Sequence, residues 1–177
     1  MGTSEAVGYV DADQNVLGWI NELAFAPVDL NENAMQDEWS TDFGVGCKYF
    51  SQDAVIKLCP AAGIELDESL SLAEKLKAVQ KLMEADEPRA QQVFEDIGVY
   101  LAYALVQYSQ FYDIQCLMLL GRVMSGKGGD TILRVCKEVL ADEFPELAAY
   151  VNVTLPDEKT RRVGQSVAAA SLPESKK

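Results

Sequence analysis

Glu22 stands out chemically, because it is a carboxylate set inside the apolar segment Trp19 to Val28. Such a group either sits at the mouth of a pocket or lies on the wet face of a half-exposed strand, and the alternation of its neighbours favours the wet face. A second candidate is Gly126-Lys127-Gly128-Gly129-Asp130, which follows an apolar run and precedes a helical pattern. Backbone N–H groups at a helix start attract anions, so this loop is either a phosphate cradle or a plain strand–helix turn. It lacks the Lys-Ser/Thr pair of a P-loop and the dinucleotide-binding spacing, which favours the plain turn.

Histidine is absent from the sequence. Its absence removes imidazole acid–base catalysis, Ser-His and Cys-His nucleophiles, and the commonest zinc ligand. Cys47, Cys59, Cys116 and Cys136 are spread singly, with no pair at metal-ligand spacing. Cys116 and Cys136 fall within apolar patterns and read as small core residues. Asp37-Glu38 and the tract Glu65 to Glu68 read as solvated loop charges, and Asp113 as a helix-end or turn residue. The series Tyr100, Tyr103, Tyr108, Phe111 and Tyr112 reads as helix packing or a partner interface rather than a cofactor box.

The elements that must position these residues follow from pattern. Glu5 to Val10 and Val16 to Val28 read as extended segments joined by a turn at Asp11 to Asn15, and Leu30 to Gly46 as a polar surface excursion. A helix is expected from about Tyr49 to Leu58, stopping at Pro60. A second starts at Ser71, where Ser-Leu-Ala-Glu74 forms a capping box and Leu72, Leu76, Val79 and Met83 make the apolar stripe. The third, from near Pro88 to about Tyr108, is apolar nearly all round from Ile97 to Val106 and so reads as central and buried. Ile114 to Leu120, ending at Gly121, reads as an interior strand. Asp130 then caps a helix carrying Ile132, Leu133, Val135, Cys136, Val139 and Leu140. Val151, Val153 and Leu155 alternate as a short strand. A small-residue helix is expected over about Thr160 to Ala170, with 173–177 a loose tail. The whole is one α/β unit, a mixed sheet with packed helices, over 1–172.

Composition narrows the class further. The chain has 177 residues, 49% hydrophobic and 24% charged, as in an ordinary globular protein. A net charge of −13 argues against a nucleic-acid surface, since the basic clusters are confined to Arg161-Arg162 and Lys176-Lys177. No apolar run is long enough to cross a bilayer, the N-terminus lacks a signal core, and Gly2 fails the myristoylation pattern. The expectation is a soluble cytoplasmic chain with no membrane and no nucleic-acid partner.

Taken in order, Gly2-Thr3, the strand pair, Glu22-Leu23-Ala24-Phe25, Gly46-Cys47, the long helix and Leu119-Leu120-Gly121-Arg122-Val123 resemble the C-terminal lobe of ROK proteins. Gly164-Gln165-Ser166-Val167-Ala168-Ala169-Ala170 is similar to the small-residue terminal helix of that family. ROK proteins are bacterial sugar kinases and sugar-responsive repressors of the actin/hexokinase-like ATPase superfamily, and the resemblance implies its ribonuclease H-like lobe. It implies that Gly2 and Thr3 belong to the second phosphate loop, usually Gly-Thr-Gly. By the same carry-over Glu22 binds sugar hydroxyls and Gly121 lies beside adenosine.

The departures from the pattern are specific. The family's histidine, a sugar contact and zinc ligand, is Phe25 here, and its three-cysteine motif stands as Ser40, Asp42 and Cys47. Bound zinc is therefore not expected, nor any other metal site. Arg122 replaces the family's second glycine against the nucleotide. In the family the first phosphate loop and the catalytic aspartate lie in an N-terminal lobe, upstream of the position of Met1. This chain alone is thus expected to have no catalytic residue and no cofactor, with ATP and Mg belonging to an intact parent protein that pairs it with that lobe. The implied partners are the N-terminal lobe, a sugar ligand and a second copy in a homodimer. The alternative is a sugar-sensing or oligomerisation module of a ROK-type regulator.

Overall fold

A computed structural model describes residues 1–13, 15–17 and 21–156. Its regular elements are helices α1 (Gln52–Leu58), α2 (Leu72–Glu84) and α3 (Pro88–Tyr108), strand β1 (Cys116–Met118), helices α4 (Gly126–Glu143) and α5 (Pro145–Tyr150), and strand β2 (Asn152–Thr154). Short 3-10 turns lie at Leu23–Phe25, Gly46–Lys48 and Arg122–Met124. The class is α/β, with helices packed around a two-stranded parallel sheet.

Helix α3 organises the core. Pro88 occupies its first turn, where a missing N–H costs nothing, and the Glu87 side chain accepts from Arg89 N. Phe94, Ile97, Leu101 and Leu105 are buried along it, and its most extensive packing is on α4 through Ile132, Cys136 and Leu140. The crossing is close because Gly98 lacks a side chain: a Cβ there would lie 2.8 Å from Val135 Cβ and 2.9 Å from the Ile132 carbonyl oxygen. The burial is not all round, since Val99 and Tyr103 remain 38% and 45% exposed on the outer side.

Several sequence expectations hold locally. In α2 the capping box forms, with Ser71 N donating to Glu74 Oε2 at 2.9 Å. Leu76, Val79 and Met83 are buried on it, whereas Leu72 is exposed because it precedes the turn that meets the core. The first helix begins at Gln52 rather than Tyr49. Ser51 caps it by accepting from Asp53 N, and Tyr49 and Phe50 are spent on the core instead.

Other expectations are overturned. Asp130 is not a cap: α4 starts at Gly126 with Ser125 in the cap position, so the glycines are helical rather than loop. The reason is tertiary. A Cβ on Gly128 would meet the Phe94 ring at 2.5 Å, so glycine lets the first turn of α4 seat against α3. The run ending at Gly121 is not an interior strand, because β1 pairs only with β2 among the described residues. Cys116 and Met118 are accordingly exposed, and Cys116 is no core residue, although Cys136 is.

Among the described residues the two N-terminal extended segments keep one antiparallel bridge to each other, Val10 to Val16, and Pro27 of the second bridges to Val45. Their turn is held by Asp11 Oδ1, which accepts from Asp13 N at 3.0 Å and Asn15 N at 2.8 Å. Val10 is 53% exposed there. The expected helix at Thr160 to Ala170 and the tail 173–177 lie outside the described residues.

Candidate functional site

Gly121 adopts φ 108°, a region L side chains rarely occupy. Its missing Cβ is replaced by the N-terminal backbone: a Cβ there would lie 2.1 Å from the Met1 carbonyl oxygen. The Met1 ammonium donates to the Leu120 carbonyl at 2.7 Å, and Val123 N donates to the Met1 carbonyl at 3.4 Å. Next in the chain, the Gly2 carbonyl accepts from Gln52 N at 2.8 Å, tying the segment to the start of α1, and Thr3 is exposed. Met1 therefore docks on Gly121 just after β1, whereas Gly2 turns toward α1 and Thr3 toward solvent.

Glu22 is exposed at the entry of the Leu23–Phe25 turn, where its carbonyl accepts from Phe25 N and its side chain makes no cap. It is neither buried nor paired with the glycines. The link between the two places is Glu5, which the sequence reading passed over. Glu5 Oε2 and the Leu23 carbonyl oxygen both press on Gly46: a Cβ there would lie 2.3 Å from the first and 2.6 Å from the second.

Burial pushes the Glu5 carboxyl up to about 7 against the pull of the Met1 ammonium. Glu5 Oε2 and the Tyr108 hydroxyl are buried with no hydrogen-bond partner among the described residues. The Tyr108 phenol is itself pushed up, first by burial and then by Glu5. Glu5 is thus a buried carboxyl whose ionisation is resisted by its surroundings. The available signal was a carboxylate set among small residues in Gly-Thr-Ser-Glu-Ala-Val-Gly.

The Ser40–Cys47 loop is organised around an ammonium. Lys48 Nζ lies 3.2 Å from Asp37 Oδ1, 2.5 Å from Glu38 Oε2 and 2.8 Å from Asp53 Oδ2. Asp37 is thus a buried anchor rather than a solvated loop charge, because the 3-10 turn at Gly46–Lys48 carries Lys48 inward. Glu38 is exposed and also reaches Lys57 at 2.8 Å. The hydrogen bond from Ser40 N, with Lys48, holds Asp37 down at about 2.

Cys47 Sγ lies 3.6 Å from Asp37 Oδ1, and burial with that carboxylate pushes the thiol up to about 11, away from a ligating thiolate. The Ser40 hydroxyl accepts from Asp42 N, and Phe25 packs on Trp39 with ring centroids 5.6 Å apart. Among the described residues, no three His, Cys, Asp or Glu side chains are grouped to hold a metal ion.

Of the aromatic series, Tyr108 is buried and Tyr100 is half-buried. Tyr100 packs on Tyr49 with centroids 4.5 Å apart, and both hydroxyls donate to Asp29. Tyr103 and Phe111 are exposed, and Tyr112 donates to Asn21 at 3.1 Å. Asp113 lies in the turn before β1 and accepts from the Tyr150 hydroxyl. An open cavity of about 840 Å³ lies beside it, lined by residues 106, 109–114, 143–147 and 150, and none of Gly2, Thr3, Glu22 and Gly121 borders it.

No family of known proteins matches this sequence, and no curated protein is significantly similar to it. No helix among the described residues is long and apolar enough to cross a membrane.

Proposed function

We propose that this chain is a ROK-like C-terminal lobe, with the ribonuclease H-like arrangement of the actin/hexokinase-like ATPase fold. It contributes sugar recognition and self-association to a sugar kinase-type protein and is catalytically incomplete alone. The observation that carries the reading is the docking of Met1, the residue before Gly2-Thr3, on Gly121 just after β1. The resemblance asks for that juxtaposition of phosphate loop and nucleotide-side strand, and sequence order alone does not bring it about. The long helix leading into β1, and β2 lying parallel to β1, support the same topology.

The fit to a nucleotide is poor in this chain. The space a ligand would use at Gly121 is taken by the Met1 carbonyl, and Arg122 stands next to it. ATP and Mg therefore belong to an intact parent protein, and no phosphoryl-transfer step is assigned to residues here. That misfit favours the second reading, a sugar-sensing or oligomerisation module of a ROK-type regulator.

Sugar recognition is tested by amide NMR of the chain titrated with a panel of hexoses. Shifts confined to Gly2–Glu5 and the Glu22 turn, lost in Glu22→Gln, support the proposal. A panel that moves no amide in those segments refutes it. The coding sequence upstream of Met1 separates the two readings: a glycine-rich phosphate loop with an aspartate marks the kinase, and a helix-turn-helix marks the regulator.

A further inference from the structure

The 840 Å³ cavity lies between the C-terminal ends of the two longest helices, α3 ending at Tyr108 and α4 at Glu143. The helix dipoles make both ends negative, although the last carbonyls of α3 accept from the turn that follows it. Asp113, Glu143 and Glu146 add three carboxylates to its lining, and among the described residues no Lys or Arg lines it. Tyr150 donates to Asp113 Oδ1 and Tyr103 to Glu143 Oε2. The second oxygens of both carboxylates, and both oxygens of Glu146, have no partner among the described residues.

The apolar part of the wall is aromatic. Phe111, Tyr112, Phe144 and Tyr150 contribute rings, and Phe111 and Tyr150 are 77% and 51% exposed. Ring faces attract ammonium groups and also cover alkyl chains. Three carboxylates and two helix C-termini repel an anion and favour a cation over a neutral ligand. The volume lies in the range of small-molecule sites.

We infer that this cavity binds a linear aliphatic polyamine, its ammonium groups on Asp113, Glu143 and Glu146 and its methylenes against the rings. The net charge of −13 raises the local concentration of such a cation. This site is separate from the sugar reading, at the other end of α3 from the Pro88 cap, and needs no second lobe.

The test is calorimetric titration of the full chain with the triamine spermidine at physiological ionic strength, with octanediol and Mg²⁺ as controls. Spermidine is expected to bind at one site while octanediol does not. Glu146→Gln, which removes an unpartnered exposed carboxylate and leaves the fold intact, weakens binding about fivefold, the scale of one charge-assisted contact. Phe111→Leu weakens it about threefold through the lost ring. The inference is overturned if spermidine does not bind. It is equally overturned if Mg²⁺ at equal ionic strength displaces spermidine while Phe111→Leu has no effect, because a diffuse acidic surface behaves that way. Binding of a lysine-rich peptide without competition from spermidine also overturns it.

Discussion

Replacing Lys48 by Met keeps the buried stem and removes the ammonium, which isolates the electrostatic part of the loop staple. The Lys48 side chain is 6% exposed and that of Asp37 9%, so the variant leaves a buried carboxylate with the Trp39 and Ser40 N–H groups and the Cys47 thiol as donors. Breaking a buried pair from one side costs about 3–5 kcal/mol. Asp53 is less affected, because it sits in the first turn of α1, where the helix terminus favours a negative charge. Glu38 is 70% exposed and contributes little. The expected loss is at the low end, about 3 kcal/mol, or a fall in Tm of about 6–12 °C for a chain of this size.

Urea unfolding at neutral pH measures this loss, with an unchanged m-value showing that the denatured state is the same. The pH dependence gives a second check. Asp37 is held down at about 2, so its stabilisation is complete above the ordinary carboxylate range and is lost as pH falls through it toward 2. The gap between wild type and Lys48→Met should therefore shrink in acid, as the orphaned carboxylate takes up a proton. Adding Asp37→Leu to Lys48→Met should recover at least half the loss, since the uncompensated charge is gone. A variant within about 1 kcal/mol of wild type at neutral pH, or a gap unchanged near pH 2, would refute the reasoning.

Glu5→Gln should stabilise the protein increasingly as pH rises from 5 to 8. The raised carboxyl binds its proton more tightly when folded, so ionisation above about 7 costs up to about 3 kcal/mol that an amide avoids; parallel urea midpoints across that window would count against it. Gly128→Ala should cost about 1–3 kcal/mol by driving a methyl into the Phe94 ring, and an unchanged midpoint would mean that α4 is not seated as described. Light scattering at micromolar concentration should give a dimer that Tyr103→Asp weakens, because Tyr103 and Val99 expose the outer side of α3; a monomer mass for both proteins would end the dimer proposal. Elemental analysis after dialysis should find no zinc, and one equivalent per chain would overturn the assignment of the Ser40–Cys47 loop.

What could be read from sequence was what depends on near neighbours. Pro88 and the 3.6-residue spacing of Phe94, Ile97, Leu101 and Leu105 define α3, and Ser71 with Glu74 defines the start of α2. What was hidden depends on distant contacts. Three glycines after a strand look like a loop, and only the ring of Phe94 makes them a helix start. Cys116 carries an interior pattern, but burial of a strand needs neighbours on both edges. Lys48 and Glu5 look like ordinary surface charges until the Gly46–Lys48 turn and the Gly46 backbone draw them inward. In the candidate site, the glycines were legible as turn residues, whereas the buried carboxyl of Glu5 was not.

The contact of Met1 with Leu120, Gly121 and Val123 also sets an order of assembly during synthesis. These partners stand more than a hundred positions apart, 119 for the Met1 ammonium and Leu120, so the N-terminal segment must wait for them to leave the ribosome. Helices α1, α2 and α3 follow one another closely, and α4 comes soon after, so the helical core can close through shorter loops while the first residues remain undocked. Docking of the segment brings Glu5 against Gly46, and α4 and β2 are synthesised only after its partners. Gly121 is the receptor for that docking, because any side chain there would meet the Met1 carbonyl.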